Sequence, residues 1–294
     1  MHSTDLESWL VKANAQLRTE DVPHRQRPFE AIRRFAKESE TSIDLFSDTG
    51  KRIFAWFKEH APEGAHALGS AYESVYYFDS VFWVVSVPIV FGTVSLDARD
   101  SILDMPTSTK AALFETAHLS WDYLIYWADC VDYGQGSAEV LANKTLDEFG
   151  GQMYAAADEE LRAATLLLRQ HRPQARALMN CRNATEMFFK AYLAFKGQLN
   201  EKAARQINHD LKTALALFIQ VSGFKDWQGV EEKLQVLPDI RERYDGFKAA
   251  NTDLATAFAF AQSLGALITR EFTACNMMAR VMLEYESAAP KPKN

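Results

Sequence analysis

Two groups of residues in this chain have the types and spacing to handle a phosphate and move a proton. The first is Arg182, Glu186 and Lys190, which recur every fourth residue, followed by Arg205 and His209. Histidine titrates near neutrality and suits proton transfer. Arginine and lysine suit phosphate charge, arginine as a flat fork and lysine as a point charge. The second is Arg243-Tyr244, which can hold a phosphate and stack a base. Each has a plainer reading. Arg182, Glu186 and Lys190 form i,i+4 ion pairs on a helix face, each contributing about 0.2–0.5 kcal/mol. His209 starts a helix and bonds to backbone. Tyr244 anchors the last helix on the core.

The elements that must position these residues are helical. Pro173 suits a first helical turn, having no N–H to leave unpaired. Leu178, Cys181, Ala184, Phe188, Ala191 and Phe195 then make one apolar stripe at helical spacing, and Gly197 is a stop. Asn208 or Asp210 caps a following helix over 210–222. A preceding helix spans Asp158 to His171, with acids at its start and Arg169 near its end, as the helix dipole favours. A short helix over Val230–Val236 stops at Pro238. A long one runs from about Thr252 to Glu286, and 289–294 reads as a disordered tail. A bundle over 151–288 follows.

Asn183-Ala184-Thr185-Glu186 with Lys190-Ala191 and Leu193, then His209-Asp210-Leu211, then Arg243-Tyr244-Asp245-Gly246 before the last helix, appear in this order. Together they resemble the HEPN domain, an all-α nucleotide-binding or ribonuclease module. The likeness covers roughly the C-terminal half. It implies a helical bundle, often a homodimer in which two final helices face a shared groove, and a place in toxin–antitoxin or phage-defence systems. Catalytic members carry Arg, four to six residues, then His, and cleave RNA without metal. That pattern occurs here only as Arg18 to His24, outside the matching half and interrupted by Pro23. Within that half, Arg205 and His209 have three residues between them. The leading expectation is a nucleotide- or RNA-binding, dimerising module. A ribonuclease built from His209, Arg205 and Arg182, with Arg243, Tyr244, Glu186 and Lys190 on the ligand, is the enzymatic alternative. A protein-interaction scaffold without nucleic-acid affinity, its partner bound by the N-terminal half, is the third.

The N-terminal half, 1–150, matches no recognised family. Leu6, Leu10, Ala13 and Leu17 mark one helix. A second starts at Pro28. Asp48-Thr49-Gly50 reads as a turn before a third, with Ile53, Phe54 and Phe57. Val75–Val94 is dense in β-branched and aromatic residues, which favours buried strand, with Pro88 at an edge or bulge, or else marking a helix kink. Its aromatics (Tyr76, Tyr77, Phe78, Phe82, Trp83) suit core packing better than a base-stacking platform. A helix from Thr109 to about Cys130 carries His118 and Asp122, with Asp129 and Asp132 beyond. That spacing is no recognised metal motif and reads as a solvated acidic face, so no metal or other cofactor is expected. Gly134-Gln135-Gly136-Ser137 reads as a turn, and Gly150-Gly151 as the boundary between the halves.

With 294 residues, 48% hydrophobic and 24% charged, the chain has material for about two globular domains. The fold class is mainly α, with room for a small β element near 75–94. Net charge is −7, unevenly shared: 13 Lys and Arg against 23 Asp and Glu in 1–150, then 19 against 16. The acidic half is unsuited to phosphate backbones, and the other half is permissive for RNA. Three distant cysteines without C-x-x-C spacing suggest reduced thiols. The opening residues show no signal pattern, and the longest apolar run, Val81–Phe91, is too short to span a bilayer. The expected setting is cytoplasmic, away from membranes.

Overall fold

The computed structural model describes residues 3–41, 43, 47–60, 70–89, 95–223, 229–244 and 248–288. Side chains of 3–5, 25, 243–244 and 286–288 lie outside that description. The chain divides into two compact units, 1–69 and 70–294. The described residues are mainly helical, with one two-stranded sheet. No described helix is long and apolar enough to cross a membrane.

The first unit holds α1 (Ser3–Thr19), α2 (Arg27–Glu38) and α3 (Asp48–Glu59). Leu6, Leu10 and Leu17 of α1 meet Ile32 and Phe35 of α2 and Ile53 and Phe57 of α3 in one core. The buried Arg27 is satisfied by Val22 O (2.8 Å) and Asn14 Oδ1 (3.1 Å). Asp48-Thr49-Gly50 is not a turn. Ser47 Oγ accepts from Gly50 N, so these residues are the capped first turn of α3.

The second unit opens with a hairpin, β1 (Tyr72–Phe78) and β2 (Val81–Val87), paired antiparallel with Phe78 opposite Val81. The linking Asp79 and Ser80 both have positive φ, 50° and 64°, the left-handed pair that a tight two-residue hairpin turn requires. The expected β element is therefore a hairpin and ends at Val87; positions 90–94 lie outside the described residues. Gln135 Nε2 donates to Pro88 O just past β2. Tyr76, Tyr77, Phe78 and Trp83 pack half-buried against the main core, and Phe82 lies within it.

Helices follow: α4 (Thr107–Glu115), α5 (Ala117–Ala142), α6 (Glu148–Leu168), α7 (Ala177–Phe195), α8 (Glu201–Ile207), α9 (Leu211–Ser222), α10 (Val230–Gln235), α11 (Asn251–Phe272) and α12 (Met277–Ala288). The long helices α5, α6, α7 and α11 pack on one another, and β1 lies against α5, α6 and α11. Tyr133, Tyr154, Phe188 and Phe258 are almost wholly buried at the centre.

Several boundaries differ from those the sequence suggests. Gly150-Gly151 is no linker: Asp147 caps α6 through Gly150 N, at 2.8 Å. A Cβ on Gly150 would lie 2.6 Å from the Phe195 ring, so the glycine permits close packing of α6 on α7. Gly134 and Gly136 lie inside α5, not in a turn. A Cβ there would meet Tyr72 Cβ at 2.6 Å and Thr269 Cγ2 at 2.4 Å. The helix expected from Thr109 is two helices, broken at Thr116. α7 begins at Ala177, after a turn in which Leu178 N bonds Ala175 O, rather than at Pro173. The final helix is broken at 273–276. Asp132 accepts from Met277 N and, at 3.2 Å, from Met278 N, which starts α12 afresh. The tail at 289–294 lies outside the described residues.

Candidate ligand cleft beside Arg182 and His209

Gly197, at φ 67°, ends α7 by returning its N–H to Ala194 O, and Gln198 N bonds Leu193 O. This helix presents Arg182, Glu186 and Lys190 to the loop between α8 and α9. The ion pairs are those the spacing implies: Arg182 Nη1 to Glu186 Oε2 at 2.9 Å, and Lys190 Nζ to Glu186 Oε1 at 2.7 Å. They are not on a solvated face, because the three side chains are 3%, 7% and 10% exposed.

Burial of this kind needs further partners, and the loop supplies them. Arg182 Nη2 donates to His209 O at 2.7 Å, and Lys190 Nζ to Asn208 O at 2.6 Å. Asn208 adopts φ 54° and ψ −125°, left-handed backbone that costs a non-glycine residue roughly 1–3 kcal/mol. His209 Nδ1 lies 3.0 Å from Glu186 Oε1. Burial pushes the Glu186 carboxyl up, but Lys190, His209 and Arg182 outweigh it and hold it below the usual value. Asp210, not Asn208, caps α9. Its Oδ1 accepts from Lys212 N and Thr213 N, and its Oδ2 from Thr213 Oγ1.

Arg182 and His209 form one wall of a cleft of about 750 Å³ between α9, α10 and the segment to Asp239. The His209 side chain is 47% exposed, and its Nε2 has no hydrogen bond among the described residues. Arg182 Nε is buried without a partner among the described residues. Lys212 and Glu231 are exposed in the lining, and Leu215, Ile219 and Leu234 give it an apolar side. Asp239, also in the lining, is held well below its ordinary value, first by Arg241 and more weakly by Arg182.

Four of the seven residues singled out in the sequence thus meet: Arg182, Glu186, Lys190 and His209. Arg205 does not join them. It is 78% exposed and pairs with Glu201 on α8, one turn away. The Arg243 and Tyr244 side chains lie outside the described residues. Lys212, Glu231 and Asp239 of the lining carry no signal in the sequence beyond the helix stop at Pro238.

Asp129 and Asp132 are buried rather than solvated, because Arg270 Nη1 reaches both, at 2.8 and 3.1 Å. His118 and Asp122 are exposed. No group of three His, Cys, Asp or Glu among the described residues is arranged to hold a metal ion. The sequence also hid a buried polar cluster: Tyr72 Oη donates to Gln262 Oε1 at 2.6 Å, and Ser74 Oγ bonds Tyr126 Oη at 2.6 Å.

Comparison with protein-family models, curated proteins and solved structures gave no match.

Proposed function

We propose that residues 151–288 are a HEPN-like module that binds a nucleotide, or RNA, in the cleft beside Arg182 and His209. The observation that carries this reading is Arg182 itself. Its guanidinium lies at the wall of an open cleft beside the half-exposed His209, whose Nε2 has no hydrogen bond among the described residues. A cationic wall of this kind suits a phosphate oxygen. Lys212 adds an exposed cation, and the Leu215–Ile219 side offers an apolar bed for a base. Three carboxylates share the lining, but Asp210 is committed to its cap and Asp239 to Arg241. This balance favours a single nucleotide or a terminal phosphate over a long backbone, which needs a row of cations. Homodimerisation and a toxin–antitoxin or phage-defence setting rest on the resemblance alone.

Titration with AMP, ATP and a short single-stranded RNA at two salt concentrations tests the reading. Lys212 is exposed, so Lys212→Glu should leave the fold intact and weaken binding by at least ~10-fold, about 1.4 kcal/mol. Equal affinity in wild type and variant, or none at millimolar nucleotide, defeats the proposal.

The pairing of His209 with Glu186 favours a second reading, a metal-independent ribonuclease. Nδ1 bonded to a buried carboxylate orients the ring and leaves Nε2 for the substrate. Nε2 would take the proton of a ribose 2′-hydroxyl. That oxygen then attacks the adjacent phosphorus to close a 2′,3′-cyclic phosphate, and the 5′-oxygen leaves as a hydroxyl by taking a proton from water, while Arg182 stabilises the phosphorane charge. RNA cleaved in EDTA by wild type and not by His209→Ala supports it. Intact RNA at high protein concentration rejects it.

A further inference from the structure

A second pair of hollows lies along α11 and shares no lining residue with the cleft beside His209. One is about 240 Å³ and the other about 410 Å³, and they adjoin at Tyr126, Thr256 and Ala259. We propose that this groove binds an aromatic zwitterion: a planar ring joined to an ammonium and a carboxylate, as in an aromatic α-amino acid.

The ring end follows from side-chain size. α11 presents Ala255, Thr256 and Ala259 to the smaller hollow, with Phe258 as an aromatic wall beside them. Short side chains leave a slot open against Tyr76, Tyr77 and Phe82 of the hairpin. Aromatic walls around an apolar slot suit a flat ring.

The charged end follows from two unanswered groups. Asp122 on α5 and Lys233 on α10 line the larger hollow, both exposed. Neither has an ion-pair partner among the described residues. Asp129, deeper in the same hollow, is already bound to Arg270. A carboxylate and an ammonium facing one hollow complement the ammonium and carboxylate of one zwitterion. A hydrocarbon leaves both charges unanswered, and a polyanion meets two aspartates. Asp122 also lies close enough to the slot to act on the Tyr76 phenol, which burial first and Asp122 second push up to about 12. The two hollows share Tyr126, Thr256 and Ala259, so the ring and the charged end of one ligand occupy adjoining spaces.

Calorimetry on the full chain with L-tryptophan and L-phenylalanine tests this, with L-alanine, tryptamine and indole-3-propionate as controls. At least one aromatic amino acid should bind, alanine should not, and the two indoles that lack one charge should bind at least ~10-fold more weakly. Ala259→Phe should fill the slot and abolish binding. Lys233→Ala, a surface change, should erase the preference for tryptophan over tryptamine while circular dichroism stays unchanged. The Lys212→Glu variant should bind as wild type. No heat from either amino acid at about 10 mM, or equal binding of all three indoles, overturns the proposal.

Discussion

His209 Nδ1 lies 3.0 and 3.1 Å from the two carboxylate oxygens of Glu186, so a half-exposed imidazole on a loop is held by a buried acid on α7. The same acid takes Arg182 and Lys190, and those cations in turn hold the carbonyls of His209 and Asn208. One carboxylate therefore decides where the loop stands and which imidazole nitrogen faces the cleft. The four residues act as a unit.

Glu186→Gln should be among the most damaging single changes in the second unit. It leaves two buried cations without a counter-charge, which costs about 3–5 kcal/mol when a buried pair is broken. Urea denaturation at pH 7 reads this directly, and a loss below about 1 kcal/mol would mean the network is slack. The acid limb gives a second readout. The folded Glu186 value lies below the ordinary 4.5. Its contribution is therefore fully present above about pH 4.5 and is lost as pH falls through the lowered folded value. The Gln variant should lack that part of the slope.

Asp129 and Asp132 share Arg270 yet should behave differently. Asp132 also caps α12 through Met277 N and Met278 N. Asp132→Ala removes that cap, worth about 0.5–2 kcal/mol, and should raise amide exchange across α12. Asp129→Asn touches no cap. Burial raises the Asp129 carboxyl above its ordinary value despite Arg270. The ionised form is thus disfavoured in the fold, and stability from this group falls as pH rises through its folded value. Asp129→Asn should leave α12 exchange unchanged and cost less at pH 7 than Asp132→Ala. Equal protection of α12 in all three proteins would refute the cap.

These pairings mark how far the sequence could be read. The apolar stripe of α7, the Gly197 stop and the ion-pair spacing of Arg182, Glu186 and Lys190 are local, and periodicity reveals them. Their burial is not local, because it depends on a loop some twenty residues on. The break between α11 and α12 was invisible for the same reason: the group that starts α12 is Asp132, on a helix far upstream. α8 is only seven residues long and carries too little apolar pattern to register. The glycines misled most. Read locally they are turn formers; in the fold Gly134, Gly136 and Gly150 lie where neighbouring side chains approach too closely for a Cβ.

That last point yields a paired test on helical glycines. In an exposed helix interior, Gly→Ala gains up to about 1 kcal/mol from propensity. Gly151, in the first turn of α6, has nothing within 4 Å of an added Cβ, so Gly151→Ala should stabilise by about 0.5–1 kcal/mol. Gly136, on α5, faces Thr269 Cγ2 at 2.4 Å and Thr273 Oγ1 at 3.1 Å. Both belong to the C-terminal end of α11 and its exit, which pack on α5. Neither can yield without separating the helices, because Thr269 Oγ1 is bonded to Tyr154 Oη and Thr273 Oγ1 to Thr269 O. Gly136→Ala should therefore destabilise by about 1–3 kcal/mol, the cost of overpacking. Denaturation midpoints measured side by side should move in opposite directions. A rise in both would mean that α5 and α11 pack less tightly at Gly136 than the 2.4 Å approach requires.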